Sequence, residues 1–228
     1  KSTSIKLPWL EEVLENYLTV QEISRFDKQR RRVITESITK CMDLVIDINE
    51  LNNSSNAESA NILASEIIDG KLKLKGWNDK CNSWILRVEF VSQCFPEYDI
   101  PKFTEIDKLL VLTDFCEGAL SYKEIKDKQC WPYLEKWLSP IHSQTVKKYA
   151  PDRIKLENGI EAKVLYASNG PKISVVLQRL YDINITPLLC NGKIPVSIEV
   201  LGPNHRPVQT TTDIARFWKE SYPDIKKQ

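Results

Sequence analysis

A run of basic residues near the start of the chain is the densest group with binding chemistry. Lys28, Arg30, Arg31 and Arg32 occupy four of five consecutive positions. Closely spaced arginines contact phosphate oxygens bidentately, so the run is a candidate nucleic-acid-binding tip. It also fits a solvated hairpin turn whose charges keep a sheet edge from pairing with another chain. Phe26 beside the run either stacks on a base or belongs to the core.

A second candidate lies at residues 203–212, where two prolines stiffen a run of polar side chains. Such a loop offers hydrogen-bond donors and acceptors, and Arg206 and Gln209 are its candidate nucleic-acid-binding residues. The alternative is a structural corner in which Arg206 pairs with an internal carboxylate and Thr212 caps the next helix. Both interpretations stay open at the level of the sequence.

Residues that could carry catalysis are few. The sequence has no GxxxxGK[ST] loop, no DExH-like box, no GxSxG elbow and no HExxH helix, so no nucleotide site is expected. His142 and His205 are the two histidines, and both fit solvated surface positions. We expect no catalytic residue, and a hydrolase that uses His205 is kept as a third hypothesis only.

The cysteines indicate neither a metal site nor a disulfide framework. They lie at positions 41, 81, 94, 116, 130 and 190, and they form no CxxC pair. With only two histidines to help them, a metal site is not expected. Cysteines scattered among apolar residues, in a chain without a recognisable leader, are typical of reduced core residues and of a cytoplasmic compartment.

The charge of the chain is close to balanced. Its 228 residues include 32 Lys and Arg against 31 Asp and Glu, a net charge of +1. Bulk attraction to nucleic acid is therefore excluded, and any binding must come from a local patch. No run of 18 or more apolar residues occurs, so no membrane segment is expected. Because the first residue is Lys1 and the single methionine is Met42, we expect a piece of a longer protein.

The first 50 residues are expected to form a helix followed by strands. Residues 8–18 have apolar side chains at spacings of three and four, which predicts a helix, and residues 20–48 predict two or three antiparallel strands. So few strands are unstable alone, and we expect them to end a sheet whose other strands lie before Lys1. Residues 49–56 form the clearest linker.

The helical period dominates from residue 57 to residue 140. Apolar stripes predict helices around 60–67, 77–95, 104–112 and 131–138. Together they predict a compact helical bundle. The six tryptophans fall on apolar faces at helical spacing, so they are interpreted as core residues rather than a stacking platform.

Residues 141–228 mix strands with helices. Asn158-Gly159 predicts a hairpin, because both residues tolerate a positive φ. Pro171 is placed to begin a helix that continues through Leu177 and Leu180. An alternating strand follows at 196–200, and Thr212-Asp213 predicts the cap of a last helix. This succession indicates an α+β segment.

Several short motifs in this last part occur together in a distinctive order. They are Tyr149-Ala150-Pro151, Leu156-Glu157-Asn158-Gly159, Val175-Val176-Leu177-Gln178-Arg179-Leu180, Gly192-Lys193-Ile194-Pro195-Val196, Arg206-Pro207-Val208-Gln209, Thr212-Asp213-Ile214-Ala215-Arg216-Phe217-Trp218 and Tyr222-Pro223. In these motifs the chain resembles the C-terminal domain of bacterial HrpB-type ATP-dependent helicases. The resemblance is strong from residue 131 onward and moderate before it.

The resemblance implies a division into three parts. Residues 1–50 look like the end of the oligonucleotide-binding (OB)-like segment that follows the motor, residues 57–140 like the helical segment, and residues 141–228 like the HrpB-type C-terminal domain. The family consists of DEAH-like helicases, expected to act on RNA, with two RecA-like motor domains. ATP and Mg²⁺ would then bind in motor domains outside this chain, and no cofactor is expected within it. The family pattern continues into a basic, aromatic tail, whereas this chain stops at Gln228.

The sequence therefore predicts an α+β fold with a partial OB-like β segment, a helical bundle and a small α+β C-terminal domain. The expected function is a non-catalytic accessory region of an ATP-dependent helicase, which helps to bind or route single-stranded nucleic acid, RNA by the resemblance. The alternative is a protein-docking platform of the same helicase, which the near-zero net charge favours. The expected partners are the motor domains of the same protein, single-stranded nucleic acid and a protein partner.

Overall fold

The computed structural model describes residues 17–52 and 55–226. They fold into two compact units, and each unit contains two separate stretches of chain. Unit 1 holds the described residues up to Trp77 together with Glu105–Tyr133, and unit 2 holds Asn78–Thr104 together with the chain from Leu134 onward. The helix predicted over 8–18 lies outside the described residues, apart from its last two positions. Of these, Leu18 begins a strand.

Strands and helices alternate in blocks along the chain. The strands are β1 (Leu18–Asp27), β2 (Arg32–Cys41), β3 (Leu44–Glu50), β4 (Arg153–Lys155), β5 (Glu161–Lys163), β6 (Leu165–Ala167), β7 (Gly170–Val176), β8 (Leu188–Leu189), β9 (Ile194–Pro195), β10 (Ser197–Leu201) and β11 (Pro207–Thr211). The helices are α1 (Ala57–Ile68), α2 (Asp79–Cys94), α3 (Glu105–Cys116), α4 (Tyr122–Ile125), α5 (Trp131–Trp137), α6 (Pro140–Tyr149), α7 (Ile214–Arg216) and α8 (Tyr222–Ile225). The predicted α+β class is confirmed.

Unit 1 joins an antiparallel sheet to helices α1 and α3. β1 pairs with β2 over its whole length, from Leu18 opposite Cys41 to Asp27 opposite Arg32, and β2 pairs with β3. The antiparallel strands predicted for residues 20–48 are therefore confirmed. A capping box at Asn56 begins α1, which packs on β1 and on α3 and buries Leu63 completely. A left-handed glycine follows α1, at Gly70 (φ 75°).

Unit 2 packs helices against a mixed sheet. α2 begins after Asn78, whose side chain accepts a hydrogen bond from the Lys80 amide, and it packs against β6 and α6. Phe90 of α2 meets Tyr166 of β6 with ring centroids 5.2 Å apart. The helices predicted between 57 and 140 are confirmed as elements, and they are shared between the two units. The predicted boundaries of the three parts stay a prediction.

The principal sheet of unit 2 has the order β11-β10-β7-β6, with β7 and β10 parallel. The hairpin predicted at Asn158-Gly159 is confirmed, since β4 and β5 pair antiparallel on either side of it. The helix predicted to begin at Pro171 is wrong, because that residue lies in strand β7. Buried Pro171, Ile173 and Val175 alternate there with more exposed residues, a period of two that pairing with β10 stabilises.

The last part of the chain contains a strand that sequence reasoning interpreted as a loop. Residues 207–211 form β11, which pairs antiparallel with β10 through a bulge. The predicted cap is confirmed: the Asp213 side chain accepts a hydrogen bond from the Arg216 amide at the start of α7. A π-helix, Phe217–Ser221, links α7 to α8.

The tryptophans are only partly core residues. Trp84 is buried, with 1% of its surface exposed, whereas Trp77, Trp131, Trp137 and Trp218 are half-buried. Trp218 donates from Nε1 to the Ile183 carbonyl at 2.7 Å, so its polar atom is satisfied. The interpretation of the tryptophans as uniform core is therefore wrong for these four. Trp9 lies outside the described residues.

Candidate nucleic-acid interface

The turn between β1 and β2 is held in shape by Asp27. Its Oδ1 accepts hydrogen bonds from the Gln29 amide at 2.8 Å and the Arg30 amide at 3.0 Å. The hydrogen bond from the Arg30 backbone is the main reason why the pKa of the Asp27 carboxyl is lowered. An aspartate that bonds amides two and three residues ahead preforms a turn. The basic run therefore sits on a defined tip.

Arg30 has an internal counter-ion on the neighbouring strand. Its Nη1 donates to both carboxylate oxygens of Glu50, at 2.9 and 2.7 Å. Both side chains are well exposed, 57% for Arg30 and 44% for Glu50, so solvent and salt weaken the pair. A phosphate that approaches Arg30 must compete with this carboxylate.

Arg31 is arranged differently from its neighbour. Its guanidinium carbon lies 3.9 Å from the ring centroid of Tyr122, a stacked cation–π contact. The Tyr122 amide donates to the Arg31 carbonyl at 3.0 Å, and the Tyr122 hydroxyl donates to the Lys73 carbonyl at 2.6 Å. Both partners of the stack are thus fixed by the backbone. Arg31 is an exposed residue, and no ion pair of Arg31 occurs among the described residues.

Arg32 and Lys28 complete the basic run in two further ways. Arg32 is half-buried, forms a bridge to Ser121, and its Nε has no hydrogen-bond partner within the described part of the chain. Lys28 is exposed on the turn itself. The four cations of the predicted phosphate-binding tip therefore differ in their surroundings: Arg30 is ion-paired, Arg31 is stacked, Arg32 is half-buried and Lys28 is exposed. Tyr122, which the sequence did not single out, organises the stacked one.

The second candidate forms the turn and second strand of the β10–β11 hairpin. The Gly202 amide donates to the Arg206 carbonyl at 2.9 Å, and Asn204 Oδ1 accepts from the Arg206 amide. The Arg206 side chain is exposed, and the internal carboxylate partner that one alternative expected is not found among residues 17–52 and 55–226. Gln209 Nε2 donates to Ser221 Oγ at 2.9 Å, which ties β11 to the π-helix.

The two candidates belong to different units: residues 28–32 to unit 1, and Arg206 and Gln209 to unit 2. Each must therefore be judged as a separate binding element. In the first candidate, Lys28, Arg30 and Arg31 lie on the turn and Arg32 begins β2. The structure gives Gln209 a structural hydrogen bond and leaves Arg206 in solvent.

Thiol and metal chemistry is unpromising in the part of the chain that the structure describes. All six cysteines are free thiols. Burial raises the pKa of Cys116 to about 12, and burial followed by contact with Cys94 raises the pKa of Cys190 to about 12. Thiols with such raised pKa values are poor nucleophiles and poor metal ligands. No group of three or more His, Cys, Asp or Glu in this part could hold a metal ion.

The fold matches that of helicase chains. The crystal structure of E. coli DExH-box NTPase HrpB superposes with a TM-score of 0.70 and 21% identity, over 98% of this chain and 28% of that one. The crystal structure of Escherichia coli DEAH/RHA helicase HrpB gives 0.67 and 21%, over 93% of this chain and 28% of that one. The α+β arrangement described above is thus the fold found in 28% of each of these two HrpB chains. None of the described helices is long and apolar enough to cross a bilayer.

Sequence comparison identifies which region this is. The family model HrpB_C, "ATP-dependent helicase C-terminal", matches residues 111–228, just over half of the chain. The chain therefore belongs to the HrpB-type family of ATP-dependent helicase C-terminal regions. The E. coli K12 protein "ATP-dependent RNA helicase HrpB" is 24% identical over 190 residues, which cover 81% of this chain and 24% of that protein. The chain thus spans about a quarter of this relative.

Proposed function

We propose that this chain is a non-catalytic accessory region of a bacterial ATP-dependent helicase and that it helps to hold or route single-stranded nucleic acid. Membership of the helicase C-terminal family supports the parentage. RNA is the proposed substrate because the curated relative is called an RNA helicase. ATP and Mg²⁺ would bind in the motor domains of the full-length protein, which would work in the cytoplasm.

The observation that carries this proposal is the stack of Arg31 on Tyr122. Arg31 adopts φ 52°, a left-handed conformation that costs a non-glycine residue about 1 kcal/mol. A turn that needed only shape would be served better by glycine or asparagine. The tyrosine ring holds one face of the guanidinium, while its N–H groups can still reach phosphate oxygens. Such a preformed, exposed arginine fits backbone recognition without sequence preference.

The proposal is tested by fluorescence anisotropy of a labelled single-stranded RNA titrated with the whole chain at low salt. Wild-type protein should bind with an affinity that falls steeply as salt rises and changes little with RNA sequence. A variant that combines Arg30→Ala and Arg31→Gly should bind more weakly. Its salt slope, the slope of the logarithm of the affinity against the logarithm of the salt concentration, should be smaller in magnitude. Arg32 is left intact because it is half-buried. Absence of RNA binding by the wild-type chain at low salt would refute the proposed function.

A second candidate function is a docking platform for the motor domains of the same protein. It is favoured by apolar side chains at one end of the β1–β3 sheet. Val20 and Leu44 are 68% and 74% exposed, and pairing of their strands with β2 places them on the same face. Exposed apolar residues that share a face are typical of protein interfaces. Calorimetric titration with the separately purified motor domains should detect binding, and Leu44→Asp should abolish it.

A further inference from the structure

A basic groove lies in unit 2 at the carboxyl ends of the two parallel strands. Leu201 of β10 pairs with Val176 of β7, so the segments that follow both strands leave the sheet at the same edge. In open sheets of parallel strands, ligands bind outside the carboxyl ends of the strands, and the groove occupies the corresponding place beside the single parallel pair of this mixed sheet. The groove has a volume of about 340 Å³. Its charged and polar lining residues are Arg153, Glu161, Lys163, Ser174, Arg179 and His205.

One wall of the basic groove places two cations directly opposite each other. Arg153 of β4 is the cross-strand partner of Lys163 in β5. Like charges in this position destabilise a hairpin. Glu161 compensates only weakly: it lies 3.9 Å from Arg153, and both side chains are more than half exposed. An arrangement that opposes stability suits an anion that is bound from outside.

Arg179, in the segment that follows β7, adds a third cation from another wall of the groove. Lys163 and Arg179 form no ion pair within the described ranges. Beside the groove, Glu199 is engaged by Ser174 Oγ at 2.5 Å and Lys172 Nζ at 2.9 Å. These contacts, the serine first, hold the pKa of Glu199 below its ordinary value, and Lys172 balances its charge. Three cations therefore face a single lining carboxylate.

The walls of the basic groove are fixed to each other before any ligand arrives. Asn158, at the tip of the β4–β5 hairpin, donates from Nδ2 to the Arg179 carbonyl at 3.0 Å and the Tyr181 carbonyl at 3.2 Å. Glu157 Oε2 accepts from the Asn184 amide at 2.8 Å, which anchors the same tip. A preformed site lowers the entropy cost of binding.

We propose that the basic groove binds the phosphate backbone of a single nucleic-acid strand, an inference that rests on the proposed function and adds a second contact site to it. Arginine and lysine donate to phosphodiester oxygens without reading the bases. The imidazole of His205 adds a further donor from the β10–β11 turn. Because the net charge of the chain is only +1, this attraction arises from local placement rather than from bulk charge.

The test is an anisotropy titration of a labelled single-stranded RNA with two triple variants of the whole chain. The groove variant carries Arg153→Ala, Lys163→Ala and Arg179→Ala. The control variant carries Lys102→Ala, Lys136→Ala and Lys219→Ala, which removes the same charge from exposed positions elsewhere in unit 2. The loss of three phosphate contacts should weaken binding about tenfold and reduce the salt slope by about 2. The control should change the affinity by less than about threefold.

The outcomes separate the groove from the proposed function. If the wild type binds RNA but the two triple variants have equal affinity and equal salt slope, the assignment of the groove as a contact site is wrong and the proposed function stands. No RNA binding by the wild type would overturn both. Displacement of the RNA by ATP as effectively as by unlabelled strand, at matched ionic strength, would assign the groove to free nucleotides and overturn the inference. The groove variant should keep or raise its urea midpoint, because like charges are removed; a lowered midpoint would make the cations structural.

Discussion

Replacement of Arg31 by glycine should separate binding from stability at the β1–β2 turn. The change removes the stack on Tyr122, which is worth about 0.5–1 kcal/mol at an exposed site. It also relieves the left-handed strain at φ 52°, about 1 kcal/mol, and adds about 0.5–1 kcal/mol of chain entropy to the unfolded state. The two losses together outweigh the relief of strain by at most about 1 kcal/mol, so the free energy of unfolding should fall by about 0–1 kcal/mol, near 0.5 kcal/mol at the centre of that range.

Arg31→Ala provides the contrast, because alanine loses the stack but keeps the strain. It should lower the free energy of unfolding by about 0.5–1 kcal/mol, more than the glycine variant does. Urea unfolding followed by tryptophan fluorescence measures both changes. In the RNA anisotropy assay, both variants should bind roughly fivefold more weakly, which corresponds to about 1 kcal/mol. Their salt slopes should fall by about 0.7, the contribution of one phosphate on a single strand.

Arg25→Ala is the matched control for charge. Arg25 lies on β1 and is paired with Glu36 at 2.7 Å, so its loss removes one positive charge from the same hairpin. Its RNA affinity should stay within about twofold of wild type at low salt. If Arg31→Gly and Arg25→Ala weakened RNA binding equally, bulk charge would explain the effect. The role assigned to the stacked arginine would then be wrong.

Three further predictions concern stability and the reactivity of a buried thiol. Gly76→Ala should destabilise unit 1 by about 2–3 kcal/mol in urea, because the new Cβ would lie 2.1 Å from the Lys128 carbonyl oxygen; an unchanged midpoint contradicts this. Glu199→Gln should have a lower free energy of unfolding than wild type at neutral pH. Because the pKa of Glu199 is lowered in the folded protein, this difference should shrink as the pH falls below the ordinary carboxyl value of 4.5 and vanish below the folded pKa. A difference that does not change with pH contradicts this prediction. The Cys116 thiol, with its pKa raised to about 12, should resist alkylation at pH 8 until urea unfolds the chain, as mass spectrometry would show.

The amino-acid sequence contained clear local signals for much of this fold. The Asn158-Gly159 turn, the Asp213 cap and the helical spacing around Leu63 each depend on neighbours within a few residues, and each prediction is confirmed. The prediction for the residues of β7 was wrong because the strand that pairs with them is distant in sequence. Ile173 lies opposite Ile198, and a pattern that also suits a helix becomes a strand only when β10 is present.

The candidate sites show the same limit. The basic run was visible because its members are adjacent in the chain. Tyr122, which holds Arg31, is about ninety residues away and gave no signal of its own. The cations of the basic groove are also far apart in sequence. The tertiary fold, and not their spacing along the chain, brings Arg179 near Arg153 and Lys163. Tertiary pairing must be known before such clusters can be found.

The interleaved course of the chain through its two units has a consequence for any attempt to cut the protein. The family match begins at residue 111, yet α2, which precedes it, packs on β6 and joins Phe90 to Tyr166. A fragment trimmed to the family boundary would strip unit 2 of this helix and leave an apolar sheet face uncovered. Truncations and deletions should therefore keep both stretches of each unit. Excision of residues 78–104 is expected to yield insoluble protein, although it leaves the matched segment complete.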